Sequence, residues 1–348
     1  MGSEILLFVV GLTLLTFGAD WLVRGAARVA EHFGVSPLVV GLTIVAFGTS
    51  APEMVVSVLS SIRGQPDIAV GNVMGSTVAN VGLIAGFGAL LRPIEVHRRL
   101  LVRETPLLMF VLSIVMVLSL NDALGRVDGF ALVTGFVVYL VFLLRWGRDE
   151  RTFRPDVVPR STEGEGEGAE VAQAPPPIPY TETASRAADD DPNVRDEKRP
   201  GRDLRISTLK LLIGIPLLVI GAAWLVESAT AIARALEIPD VVIAATLIAV
   251  GTSLPELAST AAAALRGLGD IAIGNVIGSN VFNLGLVLGT AAIIRPLELA
   301  PEIVVRQVLP ALIFCMLLIP LTLTRRRVDR LEGVFLLTSY AAYIVWIL

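Results

Sequence analysis

The sequence holds one cysteine, Cys315, two histidines, His32 and His97, and two lysines, Lys198 and Lys210, among 348 residues. A single thiol builds no disulfide framework, and so few imidazoles and thiols make no Cys/His zinc cluster. Cys315 reads instead as a packed apolar residue. Charge is scarce too: Asp, Glu, Lys and Arg make up 17% of the chain against 54% apolar residues. That balance excludes a disordered chain and an ordinary soluble enzyme.

Uninterrupted apolar sequence is what the chain has in quantity. Blocks with almost no charge cover residues 5–23, 37–62, 68–91, 104–120, 128–146, 208–228, 240–265, 270–294, 303–323 and 331–348. A helix rises 1.5 Å per residue, so about 20 residues cross a hydrocarbon core. The expected fold is all-α integral membrane, with ten transmembrane helices. No basic residue precedes the first block and that block has no clear small-residue cleavage site, so no cleaved signal peptide is expected. Between the fifth and sixth blocks stand Glu163-Gly164-Glu165-Gly166-Glu167-Gly168, Pro175-Pro176-Pro177 and Asp189-Asp190-Asp191. Residues 148–206 are therefore expected to be a disordered acidic, Pro- and Gly-rich linker. It lacks the Asp/Asn spacing and central glycine of an EF-hand, so a solvated segment is favoured over a calcium sensor. With the N-terminus outside, the short loops and the start of the linker, all assigned to the cytoplasm, carry fifteen arginines against five in the short loops opposite. The chain is thus expected to be a multi-pass cell-membrane protein with both termini outside and the linker cytoplasmic.

Gly48-Thr49-Ser50-Ala51-Pro52-Glu53 returns as Gly251-Thr252-Ser253-Leu254-Pro255-Glu256, 203 positions later. The same displacement carries Asn72 onto Asn275, Gly75-Ser76 onto Gly278-Ser279, Asn80 onto Asn283 and Arg92-Pro93 onto Arg295-Pro296. Agreement without a gap from Trp21 to Arg103 marks an internal duplication. Each copy holds five blocks, an odd number, so the second copy enters the membrane from the opposite side. Two inverted five-helix repeats, residues 1–147 and 207–348, are the plan of many secondary transporters, with the substrate at the midplane.

Glu53 and Glu256 lie well inside the second and seventh blocks. A carboxylate there costs about 2.5 kcal/mol or more and so faces protein or a wet cavity. No basic residue occurs from Leu38 to Ile62 or from Val241 to Leu265, so a structural ion pair within either block has no partner. On a continuous helix Ala46, Thr49, Ser50 and Glu53 share one face, as do Ala249, Thr252, Ser253 and Glu256. Pro52 and Pro255 lack an N–H and free carbonyl oxygens around Gly48, Thr49, Gly251 and Thr252. Asn72, Ser76 and Asn80 form a second stripe at four-residue spacing, matched by Asn275, Ser279 and Asn283. The two serines fit either close packing or ligation; Asn80 and Asn283 fit ligation better. Asn72 and Asn275 are suited to bracing the backbone opened by the prolines. Asp67 and Asp270, just ahead of apolar runs, are expected to cap helices. Two carboxylates among hydroxyl, amide and carbonyl oxygens, with no soft ligand, suit Ca²⁺ or Na⁺.

These residues closely resemble the two α-repeats of the sodium/calcium exchanger family, within the cation/calcium antiporter superfamily. The Gly-Thr-Ser-x-Pro-Glu motif followed by Gly-Asn-Val-x-Gly-Ser, present twice, carries the resemblance over both halves. It implies Ca²⁺ bound by Glu53 and Glu256 with the backbone carbonyls of Thr49 and Thr252. It implies Na⁺ bound by the same glutamates with Ala46, Ser50, Ser76, Ala249, Ser253 and Ser279. Asn80 and Asn283 would complete the centre. Some potassium-dependent relatives place Asp at the position of Asn283, so the amide argues against coupled potassium.

The expected activity is therefore Na⁺/Ca²⁺ antiport by alternating access. Blocks 2, 3, 7 and 8 would hold the ions while the first and sixth helices slide. Ca²⁺/H⁺ antiport is the alternative, and a cation channel a further one. An intramembrane enzyme would need a nucleophile or metal ligands; the blocks lack His or Cys pairs, and an aspartyl-type site built on Glu is conceivable but has no rationale in the repeat, so no enzymatic activity is expected. Expected partners are Ca²⁺, Na⁺ and the lipid bilayer, with no cofactor, nucleic acid or obligate protein partner.

Overall fold

The computed structural model describes residues 2–96, 100–119, 123–146, 200–236, 251–299, 301–325 and 327–347. Most of the expected linker, and residues 237–250 with Ala249, lie outside these. Helix α1 (Gly2–Phe33) runs well past its apolar block, and Asp20 and Arg24 pair along it at 2.9 Å. Ser36 then caps α2 (Pro37–Val40), accepting from the Val39 N–H at 3.3 Å with Pro37 in the first turn. A π-helical turn over Gly41–Val45 leads into α3 (Ala46–Thr49). At Ser50 the backbone leaves the helix (φ −83°, ψ 10°) and restarts as α4 (Ala51–Ile62), bent by 49°. The expected single face from Ala46 to Glu53 is therefore broken at Ser50. Pro52 has no N–H to return to Gly48, and its ring excludes the straight path.

The remaining elements of the first repeat are α5 (Pro66–Ala79), a π turn over Asn80–Ala85, α6 (Gly86–Leu91) and the short strand β1 (Ile94–Glu95). A π turn over Leu100–Glu104 then enters α7 (Thr105–Ser119), followed by β2 (Ala123–Leu124) and α8 (Arg126–Trp146). The second repeat opens with α9 (Pro200–Ala235), which starts inside the segment expected to be linker. Next come α10 (Leu254–Leu265), α11 (Gly269–Phe282), a π turn over Asn283–Val287, α12 (Leu288–Ile294) and β3 (Leu297–Glu298). Then follow α13 (Pro301–Ile303), a π turn over Val304–Val308, α14 (Leu309–Arg325), β4 (Arg327–Val328) and α15 (Arg330–Ile347). Among the described residues, seven helices are long and apolar enough to cross a bilayer, or eight with the bent 37–62 pair counted as one span. Of the two other expected spans, α7 is 15 residues long and only the second half of the seventh, α10, is described. Asp67 and Asp270 are not caps. Gln65 and Leu268 hold the capping positions, and the aspartates sit in the first turns of α5 and α11, where a carboxylate complements the positive helix end.

The repeats interlock. Helices α1 and α9 run antiparallel in backbone contact: a Cβ on Gly18 would stand 2.6 Å from Leu218 N, and one on Gly214 2.7 Å from Leu22 N. Only glycine permits that approach. At its C-terminal end α4 turns through Gly64 (φ 75°) and α10 through Gly267 (φ 73°). Arg295 lies over Gly64, and Arg92 over Gly267, so each half lends a cation to the negative end of the other's helix. Strand β1 pairs antiparallel with β4, Ile94 opposite Val328, and β2 with β3, Leu124 opposite Leu297. The buried core runs along α5 and α6, from Ala69 to Ala89, and along α11 and α12, from Ile271 to Ala292. Large apolar side chains such as Phe17, Phe110 and Trp346 point outward, as they must toward lipid.

Candidate functional site

Because α4 and α10 restart just after Ser50 and Ser253, Glu53 and Glu256 fall in first helical turns, where unpaired N–H groups favour negative charge. Both side chains are fully buried. The Ser50 hydroxyl donates to Glu256 Oε1 at 2.8 Å, and the Ser253 hydroxyl donates to Glu53 Oε1 at 3.3 Å. Each repeat's serine thus serves the other repeat's glutamate. Ser253 also reaches the Ser76 hydroxyl on α5 at 3.5 Å. The second oxygens, Glu53 Oε2 and Glu256 Oε2, are buried without a hydrogen-bond partner, as are Ser279 Oγ, Asn80 Oδ1 and both polar atoms of the Asn283 amide. Among the described residues, neither glutamate has an ion-pair partner. Carboxylate, hydroxyl and amide oxygens left unbonded in so buried a place have the chemistry that suits a hard cation.

Of the other expected site residues, Ala46 is buried and its carbonyl accepts from the Ser50 N–H at 3.0 Å. Thr49 is buried and its hydroxyl donates to Asn275 Oδ1 at 3.2 Å, close to the Ala46 carbonyl at 3.3 Å. Thr252 is half-buried and makes no matching bond to Asn72. Ala249 falls outside the described residues.

Asn72 and Asn275 do brace backbone, but not at the carbonyls around Gly48 and Gly251. The Asn72 amide donates to the Glu53 carbonyl at 3.1 Å and to Ser57 at 2.9 Å. The Asn275 amide donates to the Glu256 carbonyl at 3.4 Å and to Ser259 and Thr260 at 3.0 Å each. The glutamate backbones are thereby clamped from α5 and α11. Ser57, Ser259 and Thr260 were not legible as site supports from the motif. Their signal was a hydroxyl four residues past Glu53, and three and four past Glu256, inside an apolar helix. Sequence reasoning also passed over Asn280, a fully buried amide on α11 that accepts from the Asn80 amide at 2.8 Å. It stands off the four-residue stripe, and Thr77 occupies the related position of the first repeat.

A helical membrane protein with two inverted repeats, meeting at a sealed centre of carboxylate, hydroxyl and amide oxygens, is by class a secondary transporter. The family model described as sodium/calcium exchanger protein matches residues 3–145 and 206–348, and the chain belongs to that family. It is 35% identical to the sodium/calcium exchanger MaX1 of Methanosarcina acetivorans, over 98% of this chain and 97% of that protein. It is 33% identical to the inner membrane protein YrbG of Escherichia coli (strain K12), over 98% and 94%. Among solved structures it resembles the sodium-calcium exchanger NCX_Mj soaked with 10 mM Na⁺ and zero Ca²⁺, with TM-score 0.75, 31% identity and 98% of each chain covered. The chain is accordingly a multi-pass membrane cation antiporter, not an enzyme.

Proposed function

We propose that this chain exchanges Na⁺ for Ca²⁺ by alternating access, with both ions binding between Glu53 and Glu256. The observation that carries this reading is the crossed arrangement of the two glutamates. Each is fully buried, bonded to a serine of the opposite repeat and left with one oxygen unpartnered. Two negative charges balance one Ca²⁺ or are shared among several Na⁺, so the ions compete for the same oxygens. In this reading the carbonyls of Thr49 and Thr252 join the glutamates around Ca²⁺. Ala46, Ser50, Ser76, Ala249, Ser253 and Ser279 line the sodium positions, and Asn80 and Asn283 close the centre.

The glycine contacts between α1 and α9 support their moving as one body across the remaining helices. Exchange with unequal charge makes the cycle voltage-sensitive, by about 2.3 kcal/mol per net charge at 100 mV. The reading extends to topology: halves 1–147 and 207–348 in the membrane, both termini outside and the 148–206 linker in the cytoplasm, following the arginine bias. Proteoliposomes holding the purified chain test it. A sodium gradient should drive uptake of labelled calcium. Uptake indifferent to sodium but driven by a pH gradient would assign Ca²⁺/H⁺ exchange instead, because the same carboxylates accept protons. Conductance without counter-transport would mark a channel.

A further inference from the structure

Asn280 lies one residue past Ser279 on α11, fully buried. The Asn80 Nδ2 donates to its Oδ1 at 2.8 Å. Behind it, its own Nδ2 stands 4.0 Å from Cys315 Sγ on α14, so the amide is wedged between α5 and α14. A primary amide has a donor end and an acceptor end. With its nitrogen engaged by Asn280, Asn80 has its Oδ1 left to offer, and that oxygen is buried without a partner.

The related ligand is held differently. Neither the oxygen nor the nitrogen of Asn283 is bonded. At position 77, related to 280 by the repeat, stands Thr77, whose hydroxyl turns back to the Val73 carbonyl of its own helix at 2.9 Å. The second repeat clamps the first repeat's asparagine, and the first repeat returns nothing.

We propose that Asn280 is a positioning residue: it fixes Asn80 with its carbonyl oxygen toward the cation, leaving Asn283 a swivelling ligand, so the two related asparagines are unequal. A cation is attracted by the oxygen end of an amide and repelled by its N–H₂ end. Asn80 is therefore organised before the ion arrives, whereas Asn283 must be turned by it, at a cost in rotamer freedom. Both residues open π turns, Asn80–Ala85 and Asn283–Val287, a local widening that recurs at functional sites. The inference rests on reading this centre as the calcium site.

The test is a calcium titration of the full-length chain in detergent, read as the shift in melting temperature, with strontium as a second probe. Asn280→Thr, which copies the first repeat, and Asn80→Ala should each weaken calcium binding about 3- to 10-fold, the size of one hydrogen bond. The double variant should bind no more weakly than Asn80→Ala alone, because Asn280 acts only through Asn80. Asn280→Thr should also change the calcium-to-strontium preference, which a purely structural role would not move. Equal titrations for wild type and Asn280→Thr, or losses that multiply in the double variant, would overturn the positioning role. A wild-type chain that does not respond to calcium would overturn the site assignment itself, and this inference with it.

Discussion

In the first repeat Asn80 is held by an amide from the opposite half, while in the second Asn283 has no hydrogen-bond partner among the described residues. Asn275 makes three donor contacts and accepts from Thr49, whereas Asn72 makes two. Asp20 on α1 pairs with Arg266 at the end of α10, but its counterpart 203 positions on is Ala223, and among the described residues Arg63 has no ion-pair partner. Yet Glu53 and Glu256, with Ser50 and Ser253, form the same contact in both directions. The two copies stay alike where side chains bond across the repeats at the glutamates, and diverge in the residues that hold those groups in place. A duplicated site can thus become directional through its supports alone.

The largest effect that can break this comparison is at the glutamates. Glu53→Gln and Glu256→Gln should each lower calcium transport by about 100-fold or more, the scale of removing one buried charge, with folding retained. Flux assays that separate the two variants by more than about tenfold would show that the halves differ at the centre too. The seam between α1 and α9 comes next. Gly18→Leu and Gly214→Leu should each cost about 3 kcal/mol, since the added side chain meets backbone; unequal melting temperatures would reveal a seam that is not two-fold. Asn275→Ala should destabilise by about 2 kcal/mol and Asn72→Ala by about 1, in line with their bonding; reversed melting temperatures would defeat this ordering. Smallest is the surface pair: Asp20→Asn should cost less than about 1 kcal/mol, because both partners are partly exposed. Ala223→Asp, which supplies the missing counterpart to Arg63, should recover a similar amount in the same melting assay.

Much of the architecture was legible because lipid imposes it. Apolar blocks mark helices, and an odd-numbered duplication forces inversion, so the membrane placement and the repeat could be read from residue types alone. Chemistry was legible where it is costly: Glu53, Glu256 and the asparagine stripes stand out against apolar neighbours. The break at Ser50 was only half legible. Pro52 announces disrupted backbone, but a chain of letters does not say that the helix restarts with a bend of 49°. The π turns leave no compositional trace. Asp67 and Asp270 misled because aspartate suits both a cap and a first turn; Pro66 and Gly269, the first helical residues, decided between them. Asn280 was not legible because its partner position holds threonine, so the duplication does not mark it.

The arginines draped over Gly64 and Gly267 bear on how the molecule is made. Each half completes a helix terminus and a strand pair belonging to the other. During synthesis the leading half must therefore wait in the bilayer with one end of α4 bare until Arg295 emerges. Maturation is consequently a joint event: two fragments produced separately would have to find one another before either was finished.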